Sequence, residues 1–210
     1  MSNEFARVFL VLSAPSGGGK TTLMKRLLER RADLRRAVTC TTRAPRGGER
    51  DGVEYHFLSP EVFEAKVAAG LFLEHATVYG NQYGTLASEV FERMDAGFDV
   101  VLSVDVQGVR LIQARARAAE QARLRRALVT VFLTPGEPAE LERRLRARGE
   151  DALEVVERRL AMAKEEVACW PTFDYLLVSG SMDCDAARLE AILEAEKLRV
   201  FRSGPLTSWR

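Results

Sequence analysis

Apolar positions along the chain fall into two rhythms. Arg7-Val-Phe-Leu-Val-Leu-Ser13 is a continuous run with β-branched and aromatic content. It predicts a strand buried on both faces, and hence a parallel sheet. Asp99–Val104, Ala127–Leu133 and Tyr175–Val178 repeat the pattern. Between these runs, apolar residues step by three and four. Leu23, Met24, Leu27 and Leu28 predict a helix straight after the first strand. An Arg-rich helix is expected over roughly 107–122, and Thr134 with Glu137 forms a capping-box pattern that predicts another helix start. Leu153, Val156, Leu160, Ala163 and Val167 make one stripe on a helix over 152–168, and a last helix is expected over roughly 183–199. Strands alternating with helices predict a three-layer α/β fold with a mostly parallel sheet.

Residues 37–86 break the rhythm. Asp51-Gly52 signals a tight turn between short β-like runs, and Ser59-Pro60 starts a short helix that ends near Gly70. Tyr79-Gly80 and Tyr83-Gly84 punctuate the stretch after that helix. A small mixed insertion is predicted here, and an irregular tail after Phe201, around Gly204 and Pro205.

Composition narrows the function classes. The 210 residues suffice for one compact domain with inserted subdomains, with 47% apolar and 29% charged residues. Thirty-one Lys and Arg nearly cancel thirty Asp and Glu, so charge gives no reason to expect nucleic acid or membrane as a partner. No apolar run approaches the roughly 18–20 residues of a membrane span, and Met1-Ser-Asn-Glu-Phe5 lacks the features of a signal peptide. A cytoplasmic location is expected. Cys40, Cys169 and Cys184 are far apart and odd in number, which suggests neither a zinc site nor a disulfide framework.

The strongest chemical signal is Ala14-Pro15-Ser16-Gly17-Gly18-Gly19-Lys20-Thr21, followed by Thr22. A glycine turn between a strand and a helix presents backbone N–H groups and the helix dipole to phosphate oxygens. Lys20 is placed to reach terminal phosphates of ATP, and the Thr21 hydroxyl to ligate Mg²⁺. Ala14 stands where the P-loop signature has glycine, and the three following glycines supply the flexibility.

Other residues suggest a second, acceptor site. Thr41-Thr42-Arg43-Ala44-Pro45-Arg46 sets two guanidiniums three residues apart beside hydroxyls, and Arg forks match phosphate geometry. Tyr55 and Tyr83 add hydroxyl donors. Glu74 ends the apolar run Leu71-Phe72-Leu73, and Asp105 ends a buried strand, where open α/β sheets bind ligands. Carboxylates accept from donors such as guanine N1–H and N2–H. Each residue alone is equally at home on a solvated surface or in half-buried packing. Their joint presence behind a P-loop is what points to a site.

The chain resembles a guanylate kinase along nearly all its length. The matching segments are Ser13–Thr22, Thr41–Arg46, Gly52–Phe57, Phe72–Glu74, Tyr83–Thr85, Asp105–Gly108 and Arg146–Gly149. The resemblance implies a P-loop core (about 5–36, 88–134 and 170–200), a GMP-binding subdomain (about 37–87) and a lid (about 135–169). It implies that Arg43, Arg46, Tyr55 and Tyr83 hold the GMP phosphate and that Glu74, Thr85 and Asp105 face the guanine, with Thr39 at a position usually held by serine. Asp105 stays open between reading the base and orienting Mg²⁺ through water. Ser103 stands where relatives often have an acidic residue, which weakens a second carboxylate near the metal. Ser179-Gly180-Ser181 replaces a common Asn-Asp-Asp near the adenine, which puts contacts to that base in question.

Arg143, Arg144, Arg146, Arg148, Arg158 and Arg159 crowd the expected lid. Glu140/Arg144, Glu142/Arg146 and Glu154/Arg158 are i,i+4 pairs, as on a solvated helix. Phosphoryl transfer nevertheless needs cations on the migrating group. The resemblance makes Arg148 and Arg159, then Arg144, the candidates to join Lys20 and Arg43 in catalysis. The implied reaction is ATP with GMP, and with dGMP, giving ADP and GDP or dGDP, with Mg²⁺ arriving on the nucleotide. The alternatives are an inactive guanylate-kinase-like peptide-binding module, disfavoured by Lys20-Thr21 and the lid arginines, and a related ribose-bisphosphate kinase, disfavoured by Glu74 and Tyr83-Gly84-Thr85.

Overall fold

The structure, a computed structural model, describes residues 7–78, 80–146 and 153–202, with the backbone alone for 145 and 153–158. In chain order it has β1 (Phe9–Ser13), α1 (Lys20–Arg30), β2 (Leu34–Arg36), β3 (Cys40–Thr41), β4 (His56–Phe57), α2 (Pro60–Ala68), β5 (Phe72–Val78) and β6 (Asn81–Leu86). Then come α3 (Ala87–Asp95), β7 (Asp99–Ser103), α4 (Val106–Arg117), α5 (Ala122–Ala127), β8 (Leu128–Pro135), α6 (Pro138–Arg146), α7 (Leu153–Val167), β9 (Tyr175–Ser179) and α8 (Met182–Lys197).

The core is a five-stranded sheet in the order β2-β7-β1-β8-β9. Every pairing in it is parallel, and Phe9 of β1 lies beside both Val100 and Leu128. Side chains alternate across a strand. Val8, Leu10 and Leu12 therefore pack with Leu23 and Leu27 of α1 and Leu189 and Leu193 of α8. Phe9 and Val11 pack on the opposite face with Val90 of α3, Val109 and Ile112 of α4 and Leu124 of α5. Two helical layers thus cover β1, as its unbroken apolar run requires.

A second sheet, β4-β3-β6-β5, is mixed: β3 pairs parallel with β4 and antiparallel with β6, and β6 pairs antiparallel with β5. Its own small core stacks Phe63 of α2 on Phe72, with ring centroids 4.5 Å apart. Ser59 caps α2 as expected, its hydroxyl accepting from Val62 N–H, with Pro60 opening the helix. Two side chains tie this sheet to the core. Arg115 of α4 donates to the carbonyls of Gly70 (3.0 Å) and Phe72, and Glu89 of α3 accepts from Val38 N–H (2.8 Å).

Three expectations need correction. The helix expected over 107–122 stops early: α4 ends at Arg117, residues 118–121 are not helical, and Arg125 of α5 (Ala122–Ala127) turns back to donate to the carbonyls of Ala116 and Ala118. Thr134 opens no helix, because it lies inside β8 opposite Val178 and its hydroxyl bonds Pro135 O. The helix begins at Pro138, whose missing N–H suits a first turn. Tyr175–Val178 is a strand but not a fully buried one. As the edge strand β9 it buries Leu177 and leaves Leu176 (43%) and Val178 (46%) exposed. The β2 strand and α3 were not expected; α3 buries only Val90 and Met94, too short a stripe to stand out. Among the described residues no helix is long and apolar enough to cross a membrane.

Candidate active site

The glycine loop leaves β1 at the point where the chain order reverses, with β7 on one side and β8 on the other. This is where open parallel sheets bind ligands. Gly18 is fixed by space: a Cβ there would sit 2.8 Å from Ala14 Cβ and 2.9 Å from Pro15 O. Gly19, at φ 92°, ends the loop in the left-handed region, and no side chain caps α1. The first N–H groups of α1 are therefore not used by a capping side chain and point at an anion site. Lys20 folds over the loop and donates to Ala14 O at 2.5 Å. Thr21 and Thr22 are exposed on the first turn.

A cavity of about 360 Å³ opens beside this loop, lined among others by Gly17, Gly19, Thr22, Arg143, Arg144 and Ser179. Arg144 is held by Glu140 at 2.7 Å, and its Nη1 lies 3.8 Å from where a Cβ on Gly19 would be. Glu142 pairs with Arg146 at 2.7 Å, and Arg143 shares Glu140. At the far wall, buried Asp185 accepts from Ser179 Oγ (3.0 Å) and Gly180 N–H (2.9 Å). The unusual Ser179-Gly180 segment is thus shaped by a carboxylate from α8.

A second cavity, about 290 Å³, is lined by Thr39, Tyr55, Glu74, Tyr83 and Asp105, together with Ala76, Val78, Ser103 and Val104. Five expected acceptor residues, from two sheets, converge there. Thr85 stands behind it, its hydroxyl donating to Glu74 Oε1 at 2.6 Å. Gly108 packs closely on Val104, since a Cβ there would lie 3.1 Å from Val104 Cβ and 3.2 Å from its Cγ2, with Glu74 Oε2 next at 3.4 Å. Glu74 is only 6% exposed. Burial, aided by Asp105, raises its pKa to about 7 against the opposing pull of Thr85. Arg43 sits at the rim, its guanidinium 5.4 Å from the Tyr55 ring, with Tyr55 and Tyr83 edge to face at 6.1 Å. It is aimed by Glu49, which takes both 2.9 Å bonds from Nη2. Arg46 stays exposed, and its backbone N–H bonds the same Glu49.

Asp105 caps α4, accepting from Gly108 N–H at 2.8 Å. It also borders a third cavity, of about 290 Å³, with Gln107, Arg110, Met162, Glu166 and Cys169. Arg159 lies on α7, and Arg148 falls outside the described residues. Glu49, Gly108, Glu166 and Asp185 were missed by sequence reasoning. Only Gly108 carried a signal, as the glycine that closes the segment Asp105–Gly108.

A glycine loop and an uncapped helix at the reversal point of a doubly covered parallel sheet define a P-loop α/β protein. The guanylate kinase family model matches residues 6–196. Guanylate kinase of Paramagnetospirillum magneticum is 45% identical over 192 residues, covering 91% of this chain and 86% of that one. Guanylate kinase of Anaeromyxobacter dehalogenans is 46% identical over 193 residues, covering 91% and 82%. The crystal structure of guanylate kinase from Anaplasma phagocytophilum superposes with a TM-score of 0.74 at 30% identity, over 97% of this chain and 93% of that one. The chain belongs to the guanylate kinase family.

Proposed function

We propose that this protein transfers the γ-phosphoryl group of ATP to GMP, and to dGMP, in the cytoplasm. The observation that carries this reading is a buried carboxylate, Glu74, in a cavity rimmed by Arg43, Tyr55 and Tyr83 beside the P-loop. A purine monophosphate with N–H donors on its base and an anion at its other end fits that polarity. Residues 37–87 act as the acceptor subdomain and 135–169 as the lid. In support, the former holds a sheet of its own, and α6 and α7 pack on each other through Leu141, Leu160 and Ala163.

Ala14, Pro15, Ser16, Gly17, Gly18, Gly19, Lys20, Thr21 and Thr22 cradle the ATP phosphates. Thr21 and Asp105 offer hard oxygen donors, the kind Mg²⁺ prefers. Magnesium, when bound, offsets phosphate charge. Thr39, Arg46 and Thr85 complete the acceptor side with Arg43, Tyr55, Glu74, Tyr83 and Asp105. Arg144, Arg148 and Arg159 meet the migrating group when the lid closes, alongside Lys20 and Arg43. The acceptor phosphate is already an anion and needs no general base.

A coupled ADP-release assay across GMP, dGMP, AMP, UMP and ribose bisphosphate tests the reading. Turnover is expected with GMP and dGMP only, and is expected to vanish on chelation and return with Mg²⁺. Turnover with ribose bisphosphate in preference to GMP, or full activity in excess chelator, would overturn it. Lid closure has its own check. Saturation with GMP and an unreactive ATP analogue is expected to shrink the radius of gyration in small-angle scattering; an unchanged radius would remove the lid from the mechanism.

A further inference from the structure

Glu166 is in the last turn of α7, yet its Oε2 accepts from the backbone N–H of Ser16 at 3.1 Å, across 150 residues of sequence. The carboxylate is half-buried between α7, the P-loop and the start of α4. Burial pushes its pKa up, while the Ser16 amide and the Lys20 ammonium pull the other way. A carboxylate beside a loop built for phosphates repels the incoming nucleotide. Its placement there calls for a compensating role.

That role comes from helix geometry. Arg159 lies seven residues before Glu166 on α7, two turns away and on the same face. The hydrogen bond to Ser16 fixes the end of α7 that leads back to the core through Trp170 and β9. The other end leads to α6. We infer that Glu166 is a positioning residue: its bond to the phosphate loop is the pivot of α7 and sets where Arg159 meets the transferring phosphoryl group. This rests on the phosphotransferase reading above.

The lever arm gives a magnitude. Seven residues span about 10.5 Å of helix, so a tilt of about 6° at the pivot moves Arg159 by about 1 Å. A misplacement of about 1 Å costs on the order of 10²-fold in rate. Glu166→Ala is therefore expected to lower kcat by roughly ten- to hundredfold, with KM for ATP and GMP changed less than about threefold. Glu166→Gln retains an oxygen that accepts from Ser16 N–H and is expected to recover kcat to within about threefold of wild type. In an Arg159→Ala background, Glu166→Ala is expected to cost little more, because the two residues act as one unit. Glu165→Gln, one residue away and exposed, is the control.

Glu166→Ala with kcat within about twofold of wild type would overturn the inference. So would losses that multiply with Arg159→Ala, or a Gln variant as impaired as the Ala variant. If Glu166→Ala does not fold, Glu166→Met, of similar length but with no acceptor oxygen, takes its place. Amide hydrogen exchange separates this inference from the assignment of the substrate. Without nucleotide, residues 14–19 and 160–167 are expected to exchange faster in the Ala variant than in wild type. Unchanged exchange sinks the pivot even if GMP is turned over. Faster exchange in a protein inactive towards GMP leaves the contact standing and refutes the acceptor instead.

Discussion

Lys20→Ala is expected to reduce turnover by at least about 10²–10³-fold, the usual cost of removing one group that stabilises charge in the transition state. Lys20 opens α1, and its ammonium already bridges the loop to Ala14 O at 2.5 Å. It is thus held over the loop, where a phosphate oxygen would compete with that carbonyl for the ammonium. Folding has little stake in it. Alanine is the best helix former, and the core contacts of α1 are made by Leu23, Met24 and Leu27. A melting temperature close to that of wild type, together with near-complete loss of ADP release, is the expected pair of results. Turnover within about threefold of wild type in folded protein would contradict the P-loop assignment.

Glu74→Gln is expected to lower kcat/KM for GMP at least about tenfold, about 1.4 kcal/mol, while hurting AMP much less. Guanine offers N1–H and N2–H to the carboxylate. Adenine has an unprotonated N1 and no exocyclic N2, and would leave the charge desolvated and poorly paired. Gln keeps the shape and the bond from Thr85 but loses the charge and one acceptor oxygen. The pH profile should carry the same signature. With a pKa of about 7, unliganded Glu74 takes up a proton as pH falls through neutrality and can then accept from guanine through fewer lone pairs. Wild-type kcat/KM for GMP is expected to fall below about pH 7, and this acidic limb is expected to flatten in Glu74→Gln.

The sign for stability runs the other way. The folded-state pKa lies above the ordinary 4.5, so the folded protein loses stability as pH rises from about 4.5 through about 7. The Gln variant should therefore melt higher than wild type at pH 8, a stabilisation gained at the expense of function. An unchanged GMP/AMP ratio of kcat/KM in the variant would reduce Glu74 to a buried structural charge and shift base reading to Asp105 and Thr85.

What was legible in the sequence was local. The P-loop and its flanks lie within about 25 consecutive residues, and four of the five core strands announced themselves by an apolar run, while β2, Leu34-Arg35-Arg36, has none to show. Glu74, Tyr55 and Tyr83 were suspected only through their joint presence behind a P-loop; the cavity that unites them needs the second sheet. The arrangement hardest to foresee depends on single contacts between distant residues. Glu49 aims Arg43, Asp185 shapes the Ser179-Gly180 segment, and Glu166 reaches Ser16. Such acidic residues look the same in sequence as those that merely face solvent. The edge position of β9 was hidden for a related reason: a strand's composition does not reveal whether a further neighbour exists. Thr134 and Glu137 had the right spacing for a cap, but pairing with Val178 kept Thr134 in the sheet.

The register of β1 also governs how the protein must be born. Phe9 pairs with Val100 and Leu128, and both neighbours of its strand are parallel. A ribosome adding about 5–20 residues per second takes several seconds to deliver the first partner after β1 has been made. During that interval the most apolar strand of the sheet has no neighbour to pair with, and the nucleotide loop attached to it has no frame to hold its shape. The loop gains its full frame only once β8 has been made, when more than half the chain exists.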